Sequence, residues 1–244
     1  MSKALAAALA LLTTGGLVSA CESTQDKSAK LAKEAKKVVQ AKGLTVTREN
    51  PDVKVLFTAV IHDANGTAAV VELRNKTNKP LVALPLAIDV TDSGGKSLFK
   101  NNASGLAPSL VQAALIPPRG KLLWVDDQVQ VATDPHAVKA KVDIPPKAIA
   151  GGDSPPEIVV GKPHFENDEV SGLAAAGRVF NKSKVDQRKL TLFAVAEKGG
   201  KVVAAGRGEI DRLNAGKSKP YKIFFIGNPK GAQLTVSAPP TTFQ

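Results

Sequence analysis

The sequence predicts an all-β protein: two β-sandwiches in tandem, behind a signal peptide and a short Lys/Ala-rich tether that is helical or flexible. Three observations carry this reading. Apolar and polar residues alternate through short segments, and Asn, Gly and Pro turns divide them. The second half repeats the first at a near-constant offset. A stretch holding two Pro-Pro pairs and a Gly-Gly separates the halves.

The leader comes first. Lys3 supplies a positive start, Ala4 to Leu12 is an unbroken apolar run, and Thr13-Thr14-Gly15-Gly16 ends it. The run falls far short of the roughly 20 residues that a spanning helix needs, so it reads as an export signal. It leads into Val18-Ser19-Ala20-Cys21, which holds the only cysteine of the 244 residues. These residues resemble the bacterial lipobox, whose cysteine sulfur receives diacylglycerol before cleavage. The resemblance implies a signal peptide at 1–20 and a mature chain starting at Cys21, acylated by chains such as palmitate. The protein would then sit on the extracytoplasmic face of the cell membrane. An ordinary Ala-x-Ala export site is the alternative. Lipidation also accounts for a lone thiol in an exported chain. No disulfide forms within such a chain, so stability comes from packed cores.

Residues 21–43 form the tether. Leu31, Ala35, Val38 and Val39 fall at helical spacing, Lys27, Lys30, Lys33 and Lys37 lie along another face, and Gly43 ends the pattern. Two readings stand: a basic helix against anionic headgroups, or a spacer. The thin apolar stripe, which lacks Trp and Phe, favours the spacer.

The chain carries 33 Lys and Arg against 22 Asp and Glu, a formal charge of +11. The leader removes only Lys3, which leaves +10 on the mature chain. Export excludes nucleic acid as the natural partner, and no nucleic-acid-binding motif occurs. An anionic wall polymer or membrane surface fits the charge.

Strands are predicted at 44–49, 53–61, 67–74, 81–91, 108–115, 121–125 and 137–143, within a first sandwich over 44–146. Odd positions are apolar in Val53-Lys54-Val55-Leu56-Phe57-Thr58-Ala59, and even positions in Leu84-Pro85-Leu86-Ala87-Ile88-Asp89-Val90. Pro85 predicts an edge strand or a bulge. The linker spans 147–156, in a Pro- and Gly-rich stretch that is expected to lie outside strands. The second sandwich covers 157–244, with strands at 157–161, 172–180, 189–197, 201–209, 220–226 and 232–237.

The repeat aligns Asn75-Lys76-Thr77 with Asn181-Lys182-Ser183, Gly94-Gly95-Lys96 with Gly199-Gly200-Lys201, and Gly120-Lys121 with Gly216-Lys217. The first copy is longer between Lys96 and Gly120, through a loop at 99–109. Phe193-Ala194-Val195-Ala196-Glu197, Gly200-Lys201 and Leu213-Asn214-Ala215-Gly216 resemble the FxLYD-type immunoglobulin-like domain of bacterial envelope proteins, and Ile88-Asp89-Val90-Thr91-Asp92 resembles it in the first copy. The resemblance implies an immunoglobulin-like sandwich and an extracytoplasmic home, and no particular activity.

No catalytic constellation is legible. His62, His136 and His164 have no partner at metal-ligand spacing and read as solvated. Asp126-Asp127 and Asp134 lack the spacing of a calcium loop and read as a polar strand end. Asn65, Asn75, Asn102 and Asn181 head glycosylation-type tripeptides but read as turn residues. Trp124 reads as core. The expected role is therefore a non-enzymatic adaptor without cofactor or metal, presenting its sandwiches to an envelope protein or wall polymer. The Pro85 edge and the loop at 99–109 are the first candidate surfaces. The alternatives are a small-molecule or ion-binding module, and an enzyme with an unrecognised site.

Overall fold

The alternating segments form antiparallel ladders. In this computed structural model, residues 50–131, 137–145, 148–152 and 154–243 are described. Cys21, Val18, Ser19, Ala20, the tether, strand 44–49, Asp134 and His136 lie outside them. The first half forms β1 (Val53–Asp63), β2 (Gly66–Asn75), β3 (Leu81–Pro85), β4 (Ala87–Asp92), β5 (Ser97–Lys100), β6 (Gln112–Ile116), β7 (Lys121–Asp126), β8 (Ala137–Asp143) and β9 (Ile149–Ala150). One sheet has the order β1-β2-β7. The facing layer is one long strand broken at Leu86: β3 pairs with β6 and β9, and β4 with β5 and β8.

The second half forms β10 (Ile158–Val160), β11 (His164–Asp168), β12 (Gly172–Asn181), β13 (Gln187–Lys198), β14 (Lys201–Leu213), β15 (Ser218–Phe224), β16 (Ile226–Gly227) and β17 (Gln233–Ser237). In one sheet β12 pairs with β10, β11 and β15; the other has the order β16-β14-β13-β17. The chain is thus two β-sandwiches.

The repeat extends to single hydrogen bonds. Asn75 Nδ2 donates to the carbonyls of Lys79 and Ile116, and its Oδ1 accepts from the Thr77 N–H and hydroxyl. Asn181 does the same with Val185, Leu213 and Ser183. Both side chains are buried, so each carboxamide satisfies backbone groups at a turn that no ladder reaches.

Several expectations are corrected. Ile149–Ala150, inside the expected linker, pair with Val82 and Leu81. Glycines and prolines flank this pair, leaving two residues free to join a ladder. β5, β9 and β11 were not predicted, and the segment at 108–115 opens with a single 3-10 turn, Pro108–Leu110. β3 is not an edge strand, because it lies between β6 and β9, although β9 reaches only Leu81 and Val82 and Pro85 itself pairs with Gln112 of β6 alone. The strand is instead irregular there. Ala83 adopts φ 47, the pairing skips from Val82 to Leu84, and the ladder stops at Pro85, which has no N–H to give.

The two sandwiches share a packed seam. One apolar cluster joins Ile61, Ala68, Val70 and Val125 to Phe193, Val195, Ala205 and Ile226, all buried. Register places the first four on one face of sheet β1-β2-β7, the face that also carries Glu72 and Arg74. Leu190, Leu192, Ala194 and Ala196 fill the second sandwich's own core, so Phe193 and Val195 face outward into the seam. Gly227 fits a crowded position: at φ +94 a Cβ there would overlap the Val203 carbonyl oxygen and sit 2.7 Å from Ile61 Cγ2 across the seam.

Each seam face has a charged counterpart in the other repeat. Ile61 and Val125 correspond by register to Glu166 and Lys222, which form an ion pair of 2.6 Å. Val195 and Ala205 correspond to Asp89 and Lys100, an ion pair of 3.7 Å. Each seam face is thus used once, and at the equivalent positions the outer faces carry ion pairs, although Val159 and Phe224 are also exposed on the outer face of the second sandwich.

Candidate functional site

At the upper end of the seam, β7 finishes in Asp126 and continues through Asp127. Along β7, Leu122, Trp124 and Asp126 point into the first sandwich and Val125 into the seam. The position equivalent to Asp126 in the second repeat is Ile223, a core residue. A carboxyl therefore occupies a slot that the fold fills with a hydrocarbon elsewhere. Asp126 is 1% exposed. Its Oδ1 accepts from the Gln128 N–H at 2.9 Å. Burial, aided by the charge of Asp127, pushes its pKa up to about 7 against the opposing pull of the Gln128 N–H and Arg207. Asp126 is the polar strand end that the sequence suggests, and the strand ends beneath the loop and the seam, away from water.

Asp127 turns outward and binds Arg207 of β14, Nε to Oδ1 at 3.1 Å, with both side chains largely buried. Arg207 Nη1 also donates to Ser109 Oγ at 2.7 Å. Ser109 lies in the extra loop of the first repeat, and its carbonyl accepts from Trp124 Nε1 at 3.0 Å. At the loop's entry, buried Asn101 Nδ2 donates to the carbonyls of Leu86 and Leu110, and its Oδ1 accepts from the Ile88 N–H. The loop is thus held at both ends, with Ser104, Gly105 and Ala107 exposed between them. Nearby, Asp63 Oδ2 accepts from the Gly227 N–H at 2.8 Å, a third polar bond across the seam. This arrangement can switch the charge of one buried carboxyl and fix a loop. Among the described residues, no three His, Cys, Asp or Glu side chains converge as metal ligands.

The other predicted residues are scattered. His62 Nδ1 lies 2.7 Å from Thr67 Oγ1 across the β1–β2 ladder, and His164 is exposed on β11. Trp124 is fully buried, as its sequence position indicates. Sequence reasoning missed Arg207, Ser109 and Asn101, for which local pattern carries no signal.

A groove of about 520 Å³ lies at the linker, lined by Pro80, Val82 and Gly151 from one side and Lys184, Val185 and Phe243 from the other. No known family model matches the chain, and no curated protein matches it either.

Proposed function

We propose that this chain is a non-enzymatic cell-envelope lipoprotein with FxLYD-type immunoglobulin-like sandwiches. Diacylglyceryl-Cys21 holds it at the extracytoplasmic membrane face, where it presents its two-sandwich body to an envelope protein or anionic wall polymer. The observation that carries the reading is the single cysteine placed directly after Val18-Ser19-Ala20, at the end of a charged and then apolar leader. The shared seam supports it, because a rigid body displays the loop at 101–109 in one orientation. The test is cross-linking in the native host, comparing capture by wild type, by Cys21→Ala and by a variant with the exposed loop residues replaced. Wild type captures a defined partner, and both variants lose it. Undiminished capture by Cys21→Ala and the loop variant together would defeat the reading.

The linker groove favours a second reading, a small-molecule binding module. Native mass spectrometry of the purified protein tests it. A stoichiometric bound molecule that Lys184→Ala releases would put this reading first.

A further inference from the structure

The second sandwich covers only the upper part of the outer face of sheet β1-β2-β7. At the lower end, three cations stand side by side in one cross-strand row: Lys54 pairs with Arg74, and Arg74 with Lys121. All three are exposed. Like charges directly opposite each other destabilise a ladder. One carboxylate reaches the row, Glu72 with Lys121 at 3.0 Å. No ion pair to Lys54 or Arg74 occurs among the described residues. The fold does not require cations here, since the same row in the second sandwich reads Val159, Phe180 and Ser218.

The adjoining turns add to the charge. Lys76 is exposed in one, and Arg119 in the next. The turn hydrogen bonds match Gly120 with Lys217, one residue off the sequence alignment of Gly120 with Gly216, so Arg119 at φ 53 holds the conformation that the second repeat gives to Gly216 at φ 67. A strained backbone is thus tolerated where the side chain is a cation. Its Nε donates to Asn78 Oδ1, which steadies it over the same end.

We propose that this cationic row docks the first sandwich on the anionic headgroup surface of the membrane that holds Cys21. The geometry is that of a plane rather than a pocket. Strands lie about 4.8 Å apart, so three cations on adjacent strands span roughly 10 Å of flat surface. That matches a layer of phosphates better than one enclosed ion. The chain also enters β1 at this end: Asn50 caps the segment, its Oδ1 accepting from the N–H groups of Asp52 and Val53. The tether from Cys21 therefore delivers the row to the bilayer first. The inference rests on the lipid-anchor reading for its setting.

The test uses the mature chain 21–244 carrying Cys21→Ser, so that binding does not depend on the lipid. It is floated with vesicles of equal parts phosphatidylglycerol and phosphatidylcholine, and with phosphatidylcholine alone. One variant carries Lys54→Gln, Arg74→Gln and Lys121→Gln. A control of equal net charge carries Lys198→Gln, Lys201→Gln and Lys230→Gln, at exposed turns of the second sandwich. The tether lysines are present in every arm, and thermal melting confirms folding. Each cation near a charged bilayer is worth about fivefold in partition, so the row variant loses roughly 100-fold on anionic vesicles and the control far less. Equal losses in the two variants, or no anionic preference in the parent, would overturn the proposal. So would capture of the row by soluble polyphosphate without vesicle binding. An unmodified Cys21 in the host would refute the anchor while leaving this vesicle result standing.

Discussion

The substitution Asp126→Asn isolates the one strongly perturbed carboxyl in the seam region. An ordinary aspartate titrates near 3.8, and Asp126 titrates at about 7. A gap of roughly three units corresponds to about 4 kcal/mol. The sign follows from proton counting. Between pH 3.8 and about 7 the folded chain keeps a proton that the unfolded chain has released. Stability from this group is therefore full below the unfolded value, falls as pH rises through that window, and is flat above it. The carboxamide of the variant keeps an acceptor for the Gln128 N–H and has nothing to ionise. The advantage of the variant over wild type should thus grow by about 4 kcal/mol from below pH 3.8 to above pH 7. Urea unfolding across this range reports it through the buried Trp124, the only tryptophan in the chain. Because both proteins share every other titrating group, the difference curve belongs to Asp126. Parallel pH profiles would refute the reasoning, since they would mean that the carboxyl titrates alike in the folded and unfolded chains.

Three further outcomes follow from the seam. Arg207→Ala strands a mostly buried Asp127 and should cost about 3 kcal/mol, and adding Asp127→Asn should recover part of it in a double-mutant cycle by chemical denaturation. Glu166→Ile and Lys222→Val give the second sandwich the apolar face that the first buries in the seam, and Asp89→Val with Lys100→Ala gives the first sandwich the complementary face that Val195 and Ala205 form. Head-to-tail association should result, visible by sedimentation as species growing with concentration, whereas an unchanged monomer would contradict the equivalence of the faces. Gly227→Ala drives a methyl against the Val203 carbonyl oxygen and Ile61 at a positive φ and should lower stability by about 1–3 kcal/mol, with both sandwiches still melting in one calorimetric transition.

Much of the strand layout was legible because half-buried strands must alternate, as in Val53–Ala59, and because the repeat placed Asn75 and Asn181 at equivalent turns. The seam was not read, although its signal is present. Ala68-Ala69-Val70-Val71 and Leu192-Phe193-Ala194-Val195-Ala196 run apolar without alternation, the pattern of strands covered on both faces. β9 was hidden because its two residues sit among glycines and prolines, and β11 because Glu166 and Asp168 serve an ion pair with Lys222 rather than a core. The burial of Asp126 has no local signature. It emerges only when the register sets it against Ile223. Arg207 meets Ser109 across 98 residues of chain, a pairing that depends on how the two sandwiches dock.

The central claim is that the two-sandwich body hangs from a lipid at Cys21, and the mass of the mature N-terminal peptide from host membranes tests it most directly. The expected peptide begins at Cys21, carries diacylglycerol and further acylation, and is absent from the Cys21→Ala strain. An N-terminus at any other residue, or an unmodified Cys21 in protein released to the aqueous phase, would contradict it.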